Sequence, residues 1–243
     1  MFTLNNKHIL ITGASSGMGA VFAKMLSELG ARVSLLARNE ERLQQTVGTM
    51  VGEGHKYYVC DLTDKEQANE VIAQIDALDG IVFCAGINEF VPVKFVKQDK
   101  FEKIFNTNYF SQVVLLKNLL KKKKVNKNSS LVFISSLSSI MGVSGTLLYA
   151  SSKAAINSAV KVLASELAPT GTRVNAICPG IVRTPMIAGT NIDEGQFLEQ
   201  EKQYPLGLGK PEDVGGAVIY HLADESRWLT GNIMVMDGGF SLN

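Results

Sequence analysis

The chain has 243 residues, is 46% hydrophobic and carries a formal net charge of +1 at pH 7, which suits one large core and gives no footing for a nucleic-acid partner. Its three cysteines (Cys60, Cys84, Cys178) and three histidines (His8, His55, His221) are dispersed, so they read as buried thiols without a disulfide framework, and no metal-ligand spacing is visible. No apolar run is long enough to span a bilayer and no apolar signal region precedes the first strand, so the expectation is a cytoplasmic protein in a reducing compartment.

His8–Thr12 is a short apolar strand. Gly13, Gly17 and Gly19 follow in Thr12-Gly-Ala-Ser-Ser-Gly-Met-Gly19. Val21, Phe22, Met25, Leu26 and Leu29 then form a helical stripe, with Gly30 as a C-terminal cap. Glycines on their own would serve any strand-to-helix turn. Flanked by a strand and a helix, they let backbone N–H groups and the positive helix end approach a pyrophosphate. The second strand, 32–37, ends at Ala37-Arg38 with no acid at either position. A dinucleotide site places there an acid for a ribose 2′-hydroxyl or an arginine for a 2′-phosphate, so Arg38 points to the phosphorylated cofactor.

A helix over 39–52, a strand over 56–60 and a helix over 64–76 come next, with Asp61-Leu62 just past the strand. A short join leads to the fourth strand, 80–84, which ends at Ala85-Gly86. Residues 105–122 read as one long helix, apolar on most sides and therefore buried on most sides. Leu131–Ile134 is a buried strand, followed by Ser136 and by a helix beginning near Tyr149. The segment 186–208 is irregular and charged. A helix starts at Lys210-Pro-Glu-Asp213, and 233–236 is the last strand. Strands alternating with helices imply an α/β fold: one parallel sheet, doubly wound, with helices on both faces and ligands beyond the carboxyl ends of the strands. Thr12, Arg38, Asp61, Cys84 and Ser136 all fall at such ends.

Tyr149 and Lys153 are four residues apart, one turn along one helix face. An ammonium near a phenol favours the phenolate and lowers its pKa from about 10, giving an acid or base that works near neutrality. Ser136 can hydrogen-bond a substrate oxygen beside them. The pair alone would serve equally well on an amphipathic surface.

These residues resemble the short-chain dehydrogenase/reductase family over nearly the whole chain. Thr12 to Gly19 looks like its cofactor loop, Asp61 like its adenine-contacting acid, and Asn108, Ser136, Tyr149 and Lys153 like its catalytic tetrad. Pro179-Gly180 through Thr184 looks like its nicotinamide-side loop, and Asp237-Gly-Gly239 like the end of its last strand. The resemblance implies a single NAD(P)-binding Rossmann-type domain over 1–243 with about seven strands and a substrate-loop insertion at about 186–208. It implies cofactor contacts from Gly13, Ser15, Ser16, Gly17, Met18, Gly19, Arg38, Asp61, Leu62, Ala85, Gly86, Asn108, Tyr149, Lys153, Pro179, Gly180, Val182 and Thr184, and no metal. NADP(H), preferred over NAD(H), would deliver hydride to a carbonyl. Tyr149 would protonate the alkoxide, Lys153 would lower the Tyr149 pKa, Ser136 would orient the carbonyl, and Asn108 would hold the helix backbone and a relay water. Two positions depart from the family pattern: Phe83-Cys84 where it commonly shows Asn-Asn, and Ser111 where glycine is frequent.

The family's helices at 105–122 and after Tyr149 pack against copies of themselves, which implies a homodimer or homotetramer. Between Lys94 and Lys127 there are ten lysines against Asp99 and Glu102. They are a solvated face or a docking patch for an acidic carrier protein. The expected reaction is reduction of a small or carrier-linked carbonyl compound, a 3-oxoacyl thioester above all. The alternatives are dehydrogenation of a sugar, polyol or small alcohol, and a cofactor-sensing scaffold. The charges of 186–208 argue against a deep apolar pocket.

Overall fold

Seven strands pair side by side in a computed structural model that describes residues 2–188 and 199–242. They are β1 His8–Thr12, β2 Arg32–Ala37, β3 Lys56–Val59, β4 Leu78–Phe83, β5 Val125–Ile134, β6 Arg173–Pro179 and β7 Ile233–Met236. Their order is β3-β2-β1-β4-β5-β6-β7, and every pairing is parallel. The connecting helices are α1 Gly17–Glu28, α2 Glu40–Gly48, α3 Lys65–Gln74, α4 Gln98–Phe105, α5 Ser111–Lys121, α6 Leu147–Leu167, α7 Pro185–Ala188 and α8 Pro211–Leu222. The order reverses between β1 and β4, so the crevice beyond those two strands is the switch point where such folds bind ligands.

Side chains alternate across a strand, and the sheet has a core on each face. Ile9, Ile11, Val33, Leu35, Val82 and Val132 pack with Phe22 and Leu26 of α1 and Val214 and Val218 of α8. Leu10, Leu36, Ile81, Phe83, Leu131 and Phe133 pack the other way, onto Val71 of α3, Leu115 and Leu119 of α5, and Ile156 and Val160 of α6. Burial on both faces explains why these strands read as unbroken apolar runs. Phe83 and Phe133 stack with ring centroids 4.1 Å apart, which fixes β4 against β5 beneath the site. The result is a single Rossmann-like domain. Among the described residues no helix is long and apolar enough to cross a membrane.

Helix starts follow from their caps. Asn39 accepts a hydrogen bond from Arg42 N, and Asp64 accepts from Glu66 N and Gln67 N, satisfying first-turn donors. Residues 75–77 alone join α3 to β4, the short join expected. Two elements differ from the sequence reading. β5 begins at Val125, because its first residues are polar and exposed and carry no apolar signal. The expected helix over 105–122 is broken by a π-helical turn, Asn106–Phe110, between α4 and α5. Such turns are invisible to a 3.6-residue period and recur at functional sites.

His8 and His221 are buried at the amino ends of the strands. Burial holds both imidazoles below their ordinary pKa, with Arg32 and Arg173 respectively acting the same way. Both are thus kept neutral in the folded state, while the unfolded chain takes up protons near pH 6.5. Their contribution to stability is full above that value and is lost as pH falls through it. Thermal unfolding should therefore drop between pH 7.5 and 5.5, with a shallower slope in His221→Gln. Equal slopes would remove His221 from the account.

Candidate active site

At the end of β1 the chain turns through Gly13 at φ +70°. A Cβ there would come within 2.7 Å of Ala85 Cα, and one at Gly19 within 2.5 Å of Gly13 O. Both positions need glycine because backbone approaches backbone. Thr12 Oγ1 accepts from Cys84 N at 3.0 Å and Ala85 N at 3.1 Å, tying the ends of β1 and β4 together. The turn forms one wall of a cleft of about 530 Å³. Ser15, Ser16, Gly17 and Met18 line it with Gly13 and Gly19. Arg38, Asp61, Leu62, Ala85, Gly86 and Thr184 complete its lining. Arg38 Nη1 lies 3.7 Å from Asp61 Oδ2, a solvent-exposed pair.

A second cavity of about 290 Å³ contains Ser136 and Tyr149. Pro179 and Gly180, expected at the cofactor, line this cavity. Val182 lines neither; it is buried and bridges to Gly209. Gln200, Gln203 and Tyr204 enter from the segment expected to be an insertion. The Tyr204 hydroxyl oxygen accepts from Ile181 N at 3.1 Å, and its ring stacks on Phe240. Residues 189–198 of that segment lie outside the described residues. Its described acids turn away: Glu201 holds Arg183 through two 2.8 Å contacts, and Glu199 pairs with Lys202. Among the described residues no charged side chain lines the cavity, although uncharged polar side chains do.

Asn108 is fully buried behind Gly86. Its Oδ1 accepts from Ile87 N at 2.8 Å, and its Nδ2 donates to Ile87 O at 2.9 Å and Ser152 Oγ at 3.0 Å. Ser152 Oγ donates to Tyr149 O at 2.7 Å. Lys153 Nζ donates to Ile134 O at 2.7 Å and sits 5.7 Å from the Tyr149 ring centroid. The expected lowering of the Tyr149 pKa is therefore corrected. Burial pushes the phenol up to about 12, with a hydrogen bond to Ser136 acting against it. Burial also pulls Lys153 down to about 8. Desolvation is the largest cause of both shifts, and it disfavours the charged form of each group. Cys84, where the family commonly shows an asparagine, is likewise pushed up to about 12 by burial, against Lys153 and a Gly19 N–H. Its thiol is inert at neutral pH.

A family model described as enoyl-(acyl carrier protein) reductase matches residues 13–241. A 3-oxoacyl-[acyl-carrier-protein] reductase FabG of Rickettsia conorii is 34% identical over 240 residues, 98% of each chain. The chain belongs to the short-chain dehydrogenase/reductase family. A cyclopentanol dehydrogenase of Comamonas sp. is 30% identical over the full length of both chains. A solved structure from Beutenbergia cavernae, a candidate NAD(P)-dependent gluconate 5-dehydrogenase with NADP at low occupancy, superposes with a TM-score of 0.89 at 28% identity, covering 100% of this chain and 99% of that one. Like other members of the family, the protein is an oxidoreductase.

Several residues that build the dehydrogenase/reductase site were missed in the sequence. Gln112 is fully buried, and its Nε2 donates to Ala85 O at 2.7 Å and Asn108 O at 2.8 Å. Its signal was an amide near the start of a largely apolar helix. Arg42 lines the cleft one turn after Arg38, and Asn39 lines it as the cap of α2. The lysines do not form one patch. Lys94 and Lys97 follow β4 at the carboxyl end of the sheet, whereas Lys121–Lys124 precede β5 at the amino end. Lys100 pairs with Glu89, and Lys124 donates to Ile75 O. Asn108→Leu should strand both backbone groups of Ile87, costing about 1–3 kcal/mol for each left buried and unpaired. Denaturant unfolding would register this, and an unchanged midpoint would show that water replaces the amide.

Proposed function

We propose that the protein is an NADPH-dependent reductase of 3-oxoacyl thioesters. The observation that carries this reading is the uncharged cavity holding Ser136 and Tyr149, alongside the glycine-walled cleft. An uncharged cavity suits a neutral carbonyl compound and gives a gluconate-like acid no cation to meet. The Rickettsia relative supports the thioester. The small cavity and the Comamonas relative also favour a second reading, oxidation of a small neutral alcohol.

The cleft fits a dinucleotide. Close backbone packing at Gly13 and Gly19 leaves N–H groups of the turn and of α1 for a pyrophosphate, and Arg38 with Arg42 offers cations for a 2′-phosphate. When bound, the nicotinamide supplies the hydride. Ser136 orients the carbonyl oxygen, and Tyr149, protonated at neutral pH, gives its proton to the oxygen as the carbonyl becomes an alcohol. Lys153 then restores the Tyr149 proton, and Asn108 holds α6 and the chain after β4 so that these groups meet. The described residues 199–208 border the substrate, anchored by Tyr204. Docking of an acidic carrier is confined to Lys94 and Lys97, and exposed Phe101, Phe110 and Val162 are the surfaces for a dimer or tetramer. The protein acts in the cytoplasm.

Tyr149→Phe should abolish reduction of acetoacetyl thioester while NADPH still binds, followed by nucleotide absorbance and fluorescence. Substantial turnover in that variant would refute the assigned acid. The wild type should favour NADPH over NADH, and Ala37→Asp with Arg38→Leu should reverse the preference. Equal affinities in the wild type would show that Arg38 and Arg42 do not read the phosphate.

A further inference from the structure

Two amide oxygens of the cavity around Tyr149 are left without a hydrogen-bond donor. Asn88 Oδ1 and Gln200 Oε1 are buried, and neither finds a hydrogen-bond partner among the described residues. Both residues line this cavity. Asn88 comes from the chain beyond β4, Gln200 from the segment anchored by Tyr204, so two separate parts of the chain bring amides to one space. Two of the hydroxyls nearby are engaged elsewhere. Thr146 Oγ1 donates to Val143 O at 2.7 Å, and Ser136 Oγ pairs with Ser138 Oγ at 2.9 Å. The remaining walls include Phe90, Met141, Val143 and Ile181, which offer no donor. A buried amide oxygen left unpaired is costly, so a native site that contains two is built to receive donors.

We propose that Asn88 and Gln200 are specificity-determining residues that accept hydrogen bonds from an N–H or O–H of a neutral carbonyl substrate, beyond its reacting carbon. This rests on the reading of Ser136 and Tyr149 as the reacting end. On that reading the donor is the amide N–H of the thioester arm, two carbons from sulfur. A carboxylate or phosphate near the carbonyl would meet two further oxygens and no cation among the described residues. The cavity of about 290 Å³ holds about ten water-sized groups at roughly 30 Å³ each. That is room for a short acyl group and the beginning of the arm.

The test compares two thioesters that differ in one atom. S-acetoacetyl-N-acetylcysteamine carries the N–H, and the acetoacetyl thioester of 2-acetoxyethanethiol has oxygen in its place. The wild type should show a kcat/KM about tenfold or more higher for the amide, the loss expected when a buried acceptor goes unmet. In Asn88→Leu and Gln200→Leu the ratio should fall toward one. Turnover of both thioesters at equal kcat/KM by the wild type overturns the proposal. If neither thioester reacts, the thioester reading fails by itself. The pair 4-hydroxy-2-butanone and 2-pentanone then decides: preference for the hydroxyketone assigns the donor to an O–H. Equal rates on that pair, or no turnover of any of the four compounds, overturn the proposal.

Discussion

Asn108 makes the hydrogen bonds on which the geometry of the site depends. A parallel sheet brings the carboxyl ends of β4 and β5 side by side, but the chain leaves each strand in its own direction. The Asn108 amide closes that gap, holding Ile87 after β4 through both its backbone groups and α6 through Ser152. It reaches both because a π-helical turn places it there, and Gln112 caps the carbonyl of the same residue. The glycine-walled cleft and the Tyr149 cavity are therefore two openings around one rigid joint. A displacement of the joint would alter both at once.

Burial sets the electrostatics of that joint. Tyr149 is pushed up and Lys153 pulled down, opposite shifts with one cause, since desolvation disfavours whichever form is charged. The phenol holds its proton firmly, and the ammonium is poised near pH 8. A proton released to substrate from Tyr149 thus has a nearby group able to return one at ordinary pH.

The sheet and most site residues were legible in the sequence because their signals are local. A strand buried on both faces is an apolar run, and glycines between a strand and a helix mark a turn where backbones touch. Cap residues such as Asp64 mark helix starts. What escaped depended on distant partners. The first half of β5 is polar and is held by neighbours alone. The π turn leaves the apolar pattern of 105–122 intact. Val182 sits in the expected loop yet turns into the core, and Gln112 matters only because Ala85 lies beside it. The sign of the Tyr149 shift was misjudged because spacing gives proximity along a helix, while burial of the phenol, the largest cause of the shift, is set by the rest of the fold.

That carbonyl belongs to Ile134, the last residue of β5. Lys153 therefore supplies a donor where the strand runs out, and Ser135 Oγ returns the link by donating to Lys153 O at 3.1 Å. The lysine acts as a closing rung of the sheet as well as a carrier of charge. Replacing it removes both roles together, so a dead Lys153 variant does not by itself identify which was lost. A frayed strand end and a missing proton would look alike in a rate measurement. Amide exchange at the end of β5 would tell them apart.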